Sequence, residues 1–270
     1  MKLVSALATL SIIGFFAASG RADTLGAADT YAVLGATTVT NTGSSVLSGN
    51  LGLSPGTSIT GFYPAGEVIN GSIYSGPTSS AAAAQTDALT AFTSLNALPS
   101  TENLSGTNLG GLVLTPGVYA YSSSAELSGS PLMLNFEDLN GATIILQIGS
   151  TLTTGSNSTV DVENLGTDDN VYYAVGSSAT LGTGTVLLGD ILAQDSITVN
   201  TGADITCGSA IALTGAVTLD NNTITNCSAT GSDVSSEMAP PAVTAEPETL
   251  LLLSTGLLLG AGFFHRRLFA

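Results

Sequence analysis

The chain has 270 residues and a formal net charge of −16. Its basic side chains are Lys2, Arg21, Arg266 and Arg267, and its one histidine is His265, so residues 24–244 contain no Lys, Arg or His while holding all but three of the 20 acidic residues. That excludes a nucleic-acid groove, which needs cations to displace counterions, and side-chain capture of phosphate. The acidity favours a soluble monomer.

Residues 1–22 place Lys2 before an apolar run that ends in small residues at Ala18, Gly20 and Ala22, the form of a secretory signal peptide cleaved near Gly20 or Ala22. One domain is expected over 23–230, a linker over 231–245, and a separate C-terminal segment over 246–270. Tyr31–Leu53 reads as short strands, YAVLG, TTVTNTG, SSVLSG and NLGLSP. A helix over about 78–98 follows. Thr78, Ser79 or Ser80 can cap it, its alanines favour it, and Pro99 stops it. Ala84, Ala88, Phe92 and Leu95 lie on one stripe, joined by Leu89, and that stripe needs a partner surface.

From Leu112 onward, short apolar-alternating runs are broken by Gly, Asn, Ser and Thr. Strands this short cannot each support a core, but stacked coils can. Thr151-Leu152-Thr153, Thr180-Leu181-Gly182, Thr198-Val199-Asn200 and Thr218-Leu219-Asp220 align as one face, with Thr38-Val39-Thr40 repeating the motif upstream. Period-2 geometry turns Leu152, Leu181, Val199 and Leu219 inward. Thr151, Thr180, Thr198 and Thr218 then stand outward in one column, with Thr153, Gly182, Asn200 and Asp220 in the next. A second face follows each turn, with Thr159, Thr185, Asp204, Thr206, Thr223 and Thr225 expected outward. A third, including Tyr173-Ala174-Val175 and Ile191-Leu192-Ala193, is apolar on both sides and suits the helix. The expected fold is therefore mainly β: a triangular β-solenoid with one long helix along a face and a discontinuous N-terminal coil, residues 24–54 packing out of sequence order.

Cys207 and Cys227 are one coil apart, so a disulfide tying the last coils is expected in an exported chain. Leu250–Phe264 is apolar except for Ser254 and Thr255, and is followed by His265, Arg266 and Arg267. With Glu246-Pro247-Glu248 before it, the segment resembles the bacterial Pro-Glu-Pro C-terminal sorting signal, in a variant order. The resemblance implies export, transient inner-membrane contact and removal by a sorting protease. A plain transmembrane anchor is the other reading.

Polysaccharide-cleaving enzymes share such scaffolds, and Asp168 with Asp169, or Asp190 with Asp195, could supply a carboxylate pair. Their neighbourhoods read as solvated turns, no cation stands ready for an oxyanion, and no metal-ligand spacing appears. No enzyme activity, cofactor or metal is expected. Threonine favours strand surfaces in any case, and the pattern alone calls for no more than that; threonine ranks on a flat face nevertheless have a second use. Coils repeat at about 4.8 Å and alternate residues at about 6.7 Å, near the oxygen repeats of ice at about 4.5 and about 7.4 Å. A β-branched side chain offers its methyl and hydroxyl with little rotamer scatter.

Residues 25–62, 108–123, 142–160 and 170–224, with the helix inserted after the first block, resemble the microbial ice-binding protein family, an irregular β-helix with a helix alongside. VYYAVG departs from it by having tyrosines where a tryptophan is common, and Gly208-Ser209-Ala210 lacks a frequent arginine. The resemblance implies adsorption to ice without a cofactor, by a secreted or surface-held protein. The face through Thr151-Leu152-Thr153 is the expected contact and the Thr223–Thr225 face the alternative. A surface adhesin or biofilm-matrix protein binding glycans or other cells is the competing function.

Overall fold

The computed structural model describes residues 24–230. The signal-peptide, linker and sorting-signal expectations fall outside these residues, apart from the neighbourhood of their boundaries. After a short 3-10 turn at Gly26–Ala28, the chain forms β1 (Tyr31–Gly35), β2 (Thr38–Thr42) and β3 (Val46–Ser48), one strand on each of three faces, here a, b and c. A second coil, β4 (Asn50–Leu53), β5 (Ser58–Thr60) and β6 (Glu67–Ile69), leads into β7 (Ile73–Ser75) and the helix α1 (Ser80–Ala97). Strands β8 (Glu102–Asn103) and β9 (Val113–Leu114) then open the second series. Its full coils are β10 (Gly117–Tyr121), β11 (Ala125–Leu127), β12 (Leu132–Asn135); β13 (Thr143–Ile148), β14 (Leu152–Thr154), β15 (Val160–Glu163); and β16 (Asn170–Val175), β17 (Ala179–Leu181), β18 (Val186–Leu188). The last two are β19 (Asp190–Ala193), β20 (Ile197–Val199), β21 (Asp204–Thr206) and β22 (Ala210–Ala212), β23 (Val217–Asp220), β24 (Thr223–Thr225), before a final turn of helix at Cys227–Thr230.

All strand pairs are parallel, and the order on face a is β7-β4-β1-β22-β19-β16-β13-β10-β8. From β1, inside the stack, the chain winds outward to β7, crosses to the far end, and winds back until β22, β23 and β24 dock on β1, β2 and β3. This is the discontinuity expected of residues 24–54. Eight strand spacings separate β7 from β8, about 38 Å. The 18-residue helix spans about 27 Å of it at about 1.5 Å per residue, and short extended links supply the rest.

Helix α1 covers face a, whose strands are apolar on both sides. Val33, Ala210, Ile191, Tyr173 and Leu146 point into the prism; Leu34, Ile211, Leu192, Ala174, Tyr172 and Ile145 point out, beneath Ala81, Ala84, Ala88, Ala91 and Leu95. Alanines let the helix approach closely, and Leu89, expected on the buried stripe, instead stands 50% exposed with Phe92 only partly covered. Ser79 occupies the N-cap position but its hydroxyl donates to the Gly76 carbonyl (2.8 Å) instead of capping. Polar ties fix the helix axially: Tyr31 hydroxyl with Ser80 Oγ (2.9 Å), and Gln147 Nε2 donating to the carbonyls of Leu95 (2.7 Å) and Leu98 (2.9 Å). Tyr173 fills the interior and Tyr172 the helix side, so both tyrosines of VYYAVG are buried.

Candidate ice-contact face

Among the described residues no element covers face b, whose strand order is β11-β14-β17-β20-β23-β2-β5. Its inward positions are mostly aliphatic: Ala125, Leu152, Ala179, Ile197, Val217, Val39 and Ile59 in one column, and Leu127, Leu181, Val199 and Leu219 in the next, which Thr154 and Asn41 also enter. Each fully buried leucine or valine here contributes about 1.5–3 kcal/mol of transfer free energy.

Between those two inward columns, one outward column runs the length of the face. In successive ranks it holds Glu126, Thr153, Thr180, Thr198, Thr218, Thr40 and Thr60. Thr218 and Thr40 are adjacent across the seam between the two series of coils. Thr153, Thr218 and Thr60 are exposed, and Thr180, Thr198 and Thr40 half-buried by their neighbours.

The order of this column corrects the expected register. Thr153, not Thr151, lies beside Thr180, and Leu152 pairs with Ala179, not Leu181. Thr151 belongs to the flanking column, where its hydroxyl donates to Ser124 Oγ (2.8 Å) and where Ser178, Ser196 and the Thr38–Ser58 pair also lie. On the other flank, continuing the register by one residue, stand Gly155, Gly182 and Asn200, then the Asp220–Thr42 pair. The slip is of two residues, so every threonine keeps its outward sense. Turns of equal length after Ile148 and Val175 set this register, and they put Thr154 in an inward position that Leu127 and Leu181 fill in neighbouring coils. Its Oγ1 shares a hydrogen bond with Thr185 Oγ1 (2.7 Å) and accepts one from the Gly182 amide (2.8 Å).

Face c differs more from expectation. Val186 pairs with Asp204, and Thr159 with Val186. Thr185 is therefore turned inward at 0% exposure while Val186 is 41% exposed, the consequence of a one-residue slip. Thr159, Asp204, Thr206, Thr223 and Thr225 do lie on the outer side, but among Val186, Val46, Glu67, Ile69 and Asp161. Face c thus has no uniform column of hydroxyls. The reading of the sequence missed Thr60 and Thr42, although Ser58-Ile59-Thr60 repeats the alternation of Thr38-Val39-Thr40.

Asp169, Asp190 and Asp195 each tie successive coils together by accepting hydrogen bonds. Asp169 is buried and accepts from the amides of Ala142 and Gly166, both at 2.8 Å. Asp190 accepts from Ser209 Oγ (2.7 Å), and Asp195 from Ser177 Oγ (3.0 Å). Among the described residues no cluster of three His, Cys, Asp or Glu forms a metal site, and no helix is long and apolar enough to cross a membrane. Burial raises the phenol pKa of Tyr121 to about 12 and that of Tyr173 further, while Tyr31 is raised by desolvation against its bond to Ser80. Cys207 and Cys227 are joined in a disulfide, with Cα atoms 4.6 Å apart.

A discontinuous three-faced solenoid, with one side sealed by a helix and another presenting threonines in register, defines the class as an irregular parallel β-solenoid with a lateral helix. The ice-binding-like family model matches residues 33–225, and the chain belongs to that family. An ice-binding protein of Nostoc sp. (strain HG1) is 52% identical over 169 residues, which cover 63% of this chain and 61% of that one. The chain thus spans less than two thirds of that relative's length. The crystal structure of an ice-binding protein from the Antarctic ascomycete Antarctomyces psychrotrophicus superposes with a TM-score of 0.69 at 39% identity, covering 74% of this chain and 96% of that one. An ice-binding protein domain of Shewanella frigidimarina gives 0.67 at 28% identity, covering 74% of this chain and 95% of that domain.

Proposed function

We propose that this protein adsorbs to ice through face b, with the column Thr153, Thr180, Thr198, Thr218, Thr40 and Thr60 as its centre. The supporting observation is that six threonines occupy consecutive ranks of one parallel sheet, two of them meeting across the seam. Parallel strands set the ranks about 4.8 Å apart, and the aliphatic layer beneath holds them in one plane. Methyl groups then restrain water while hydroxyls bond it, so ordered surface water can merge with the ice lattice. Ice growth or recrystallisation is limited, or the cell is held to ice. The family relationship supports the same activity.

The same reading includes export through the N-terminal segment and surface delivery through the C-terminal one, with a sorting protease and the inner membrane as transient partners. The last described residues leave at the corner between faces c and a, where Asn226 Nδ2 donates to the carbonyls of Asp29 (2.8 Å) and Tyr31 (3.2 Å). That corner lies across the prism from face b.

The test is Thr198→Tyr in the full chain, measured by incorporation into a growing ice hemisphere and by circular dichroism. Loss of incorporation with an unchanged spectrum is expected. Undiminished incorporation would reject face b and move the test to Thr223 and Thr225. A wild-type protein that neither shapes nor enters ice would instead favour an adhesin.

A further inference from the structure

Face b ends in a residue unlike the rest of its central column. Glu126 pairs with Thr153 in the register that elsewhere places threonine beside threonine, and it is exposed. Beyond it the face is not continued by a further strand: β11 is the terminal strand of its sheet. The segment 106–108 passes alongside, and a shallow hollow opens between Gly106, Thr107, Asn108, Ser124, Glu126 and Thr153. Asn108 fixes that segment by donating to the Ser128 carbonyl (3.1 Å) and Ser128 Oγ (2.9 Å), so the rim of the hollow is built into the fold.

We propose that Glu126 is a residue that limits the contact, setting the length of the ice-adsorbing column and so the strength of adsorption. The proposal rests on face b being the ice face. The backbone position is already correct: Ala125 and Leu127 point inward on either side of it and are buried, as are Leu152 and Thr154 beside Thr153 and Ala179 and Leu181 beside Thr180. Only the side chain differs. A carboxylate orients its own hydration shell tightly, and bringing it against a lattice of neutral water incurs a desolvation cost that no cation repays, since the described residues lack Lys, Arg and His altogether. It is also longer than threonine, and its rotamer freedom must be lost on contact. The other acid at this face, Asp220, sits in a flanking column and is held by a hydrogen bond from Thr201 Oγ1. Glu126 alone interrupts the central one.

The experiment compares wild type, Glu126→Thr and Glu126→Gln in the full chain, by concentration dependence of adsorption to single ice crystals and by thermal hysteresis. Threonine extends the column by one rank and should lower the half-saturating concentration at least about twofold, equivalent to ~0.4 kcal/mol. Glutamine removes the charge but keeps the length, and should fall between the two. Equal adsorption by wild type and Glu126→Thr, with matching circular dichroism and melting temperature, would overturn the proposal while leaving face b intact. Absence of adsorption by all three, wild type included, would overturn the ice reading itself. Should Glu126→Thr lose stability, Glu126→Ser provides the same neutral, short side chain at lower β-propensity, and it must also exceed wild type for the proposal to stand.

Discussion

Thr154 and Thr185 face each other inside the prism, their hydroxyl oxygens 2.7 Å apart. Thr185 also donates to the Gly155 carbonyl (3.2 Å), and Thr154 takes the Gly182 amide. The bond joins the coil of β14 to that of β18 at the corner of faces b and c. Valine at 154 keeps the shape but leaves the Gly182 amide without its acceptor, and valine at 185 leaves the Thr154 hydroxyl proton without its acceptor, each costing about 1–3 kcal/mol. The double substitution should cost less than the sum of the singles, with a coupling of about 0.5–3 kcal/mol. Urea unfolding of the four proteins checks this; strict additivity would show that the two hydroxyls do not depend on each other.

The same pair explains what the sequence could and could not reveal. The three faces, the covered side and the displaced first coils follow from alternation, from the doubly apolar runs and from the single helix. Register was harder. TLTTG and TLGTG look alike and invite alignment of Leu152 with Leu181, yet Gly149 and Gly176 start turns of equal length and bring Leu152 opposite Ala179. A threonine whose hydroxyl finds a buried partner is indistinguishable, in one dimension, from a threonine facing water. Thr154 and Thr185 were both of this kind. Hence the threonine column on face b was correct in sense and wrong by one rank element, whereas Thr185 on face c was wrong in sense.

Two buried phenols give the protein an alkaline sensitivity. Tyr121 and Tyr173 lie in the solenoid interior with no hydrogen-bond partner for either hydroxyl, and desolvation raises both pKa values, Tyr121 to about 12. The folded state thus holds protons that the unfolded chain releases near the ordinary phenol value of about 10. Their contribution is fully present below that pH and is lost as pH rises through the folded pKa, by at most about 1.4 kcal/mol per pH unit for each phenol. Denaturation midpoints should fall steeply between about pH 10 and about pH 12. Tyr121→Phe and Tyr173→Phe should flatten the fall and leave stability at pH 7 unchanged or raised, because each removes a buried unpaired hydroxyl. An unaltered slope in the double variant would refute the assignment.

The disulfide lies away from the face proposed to touch ice. It closes a 20-residue interval between the turn after β21 and the residues after β24. By chain entropy such a loop is worth about 3 kcal/mol. Reduction, or Cys207→Ser with Cys227→Ser, should lower the melting temperature while leaving adsorption measured near 0 °C close to wild type. If adsorption instead disappeared with the native spectrum retained, face b would have to depend on the opposite corner of the prism.

The seam makes the last prediction the sharpest. Thr40 and Thr218 are 178 positions apart in the chain yet neighbours in the column, so the face exists only where the two series of coils meet. Asn222, 1% exposed, closes that junction: its Nδ2 donates to the carbonyls of Asn200 (2.8 Å) and Ala203 (2.7 Å), and its amide to Ser45 Oγ (2.9 Å). Ser45 Oγ in turn donates to Asn41 Oδ1 (2.6 Å), whose Nδ2 reaches the Gly43 and Gly61 carbonyls. Four successive turns are thereby stitched along one edge of face b. Asn222→Ala removes the side-chain donor to the buried Ala203 carbonyl, the second donor to the Asn200 carbonyl and the acceptor of the Asp220 amide, and should cost roughly 2–4 kcal/mol. Hydrogen exchange should speed up first in β2 and β23, before the β13–β16 region responds. Thr40→Tyr and Thr218→Tyr, which leave the stitch intact, should each reduce ice adsorption as much as Thr198→Tyr. Adsorption insensitive to both would mean that the contact stops at the seam and uses one series of coils alone.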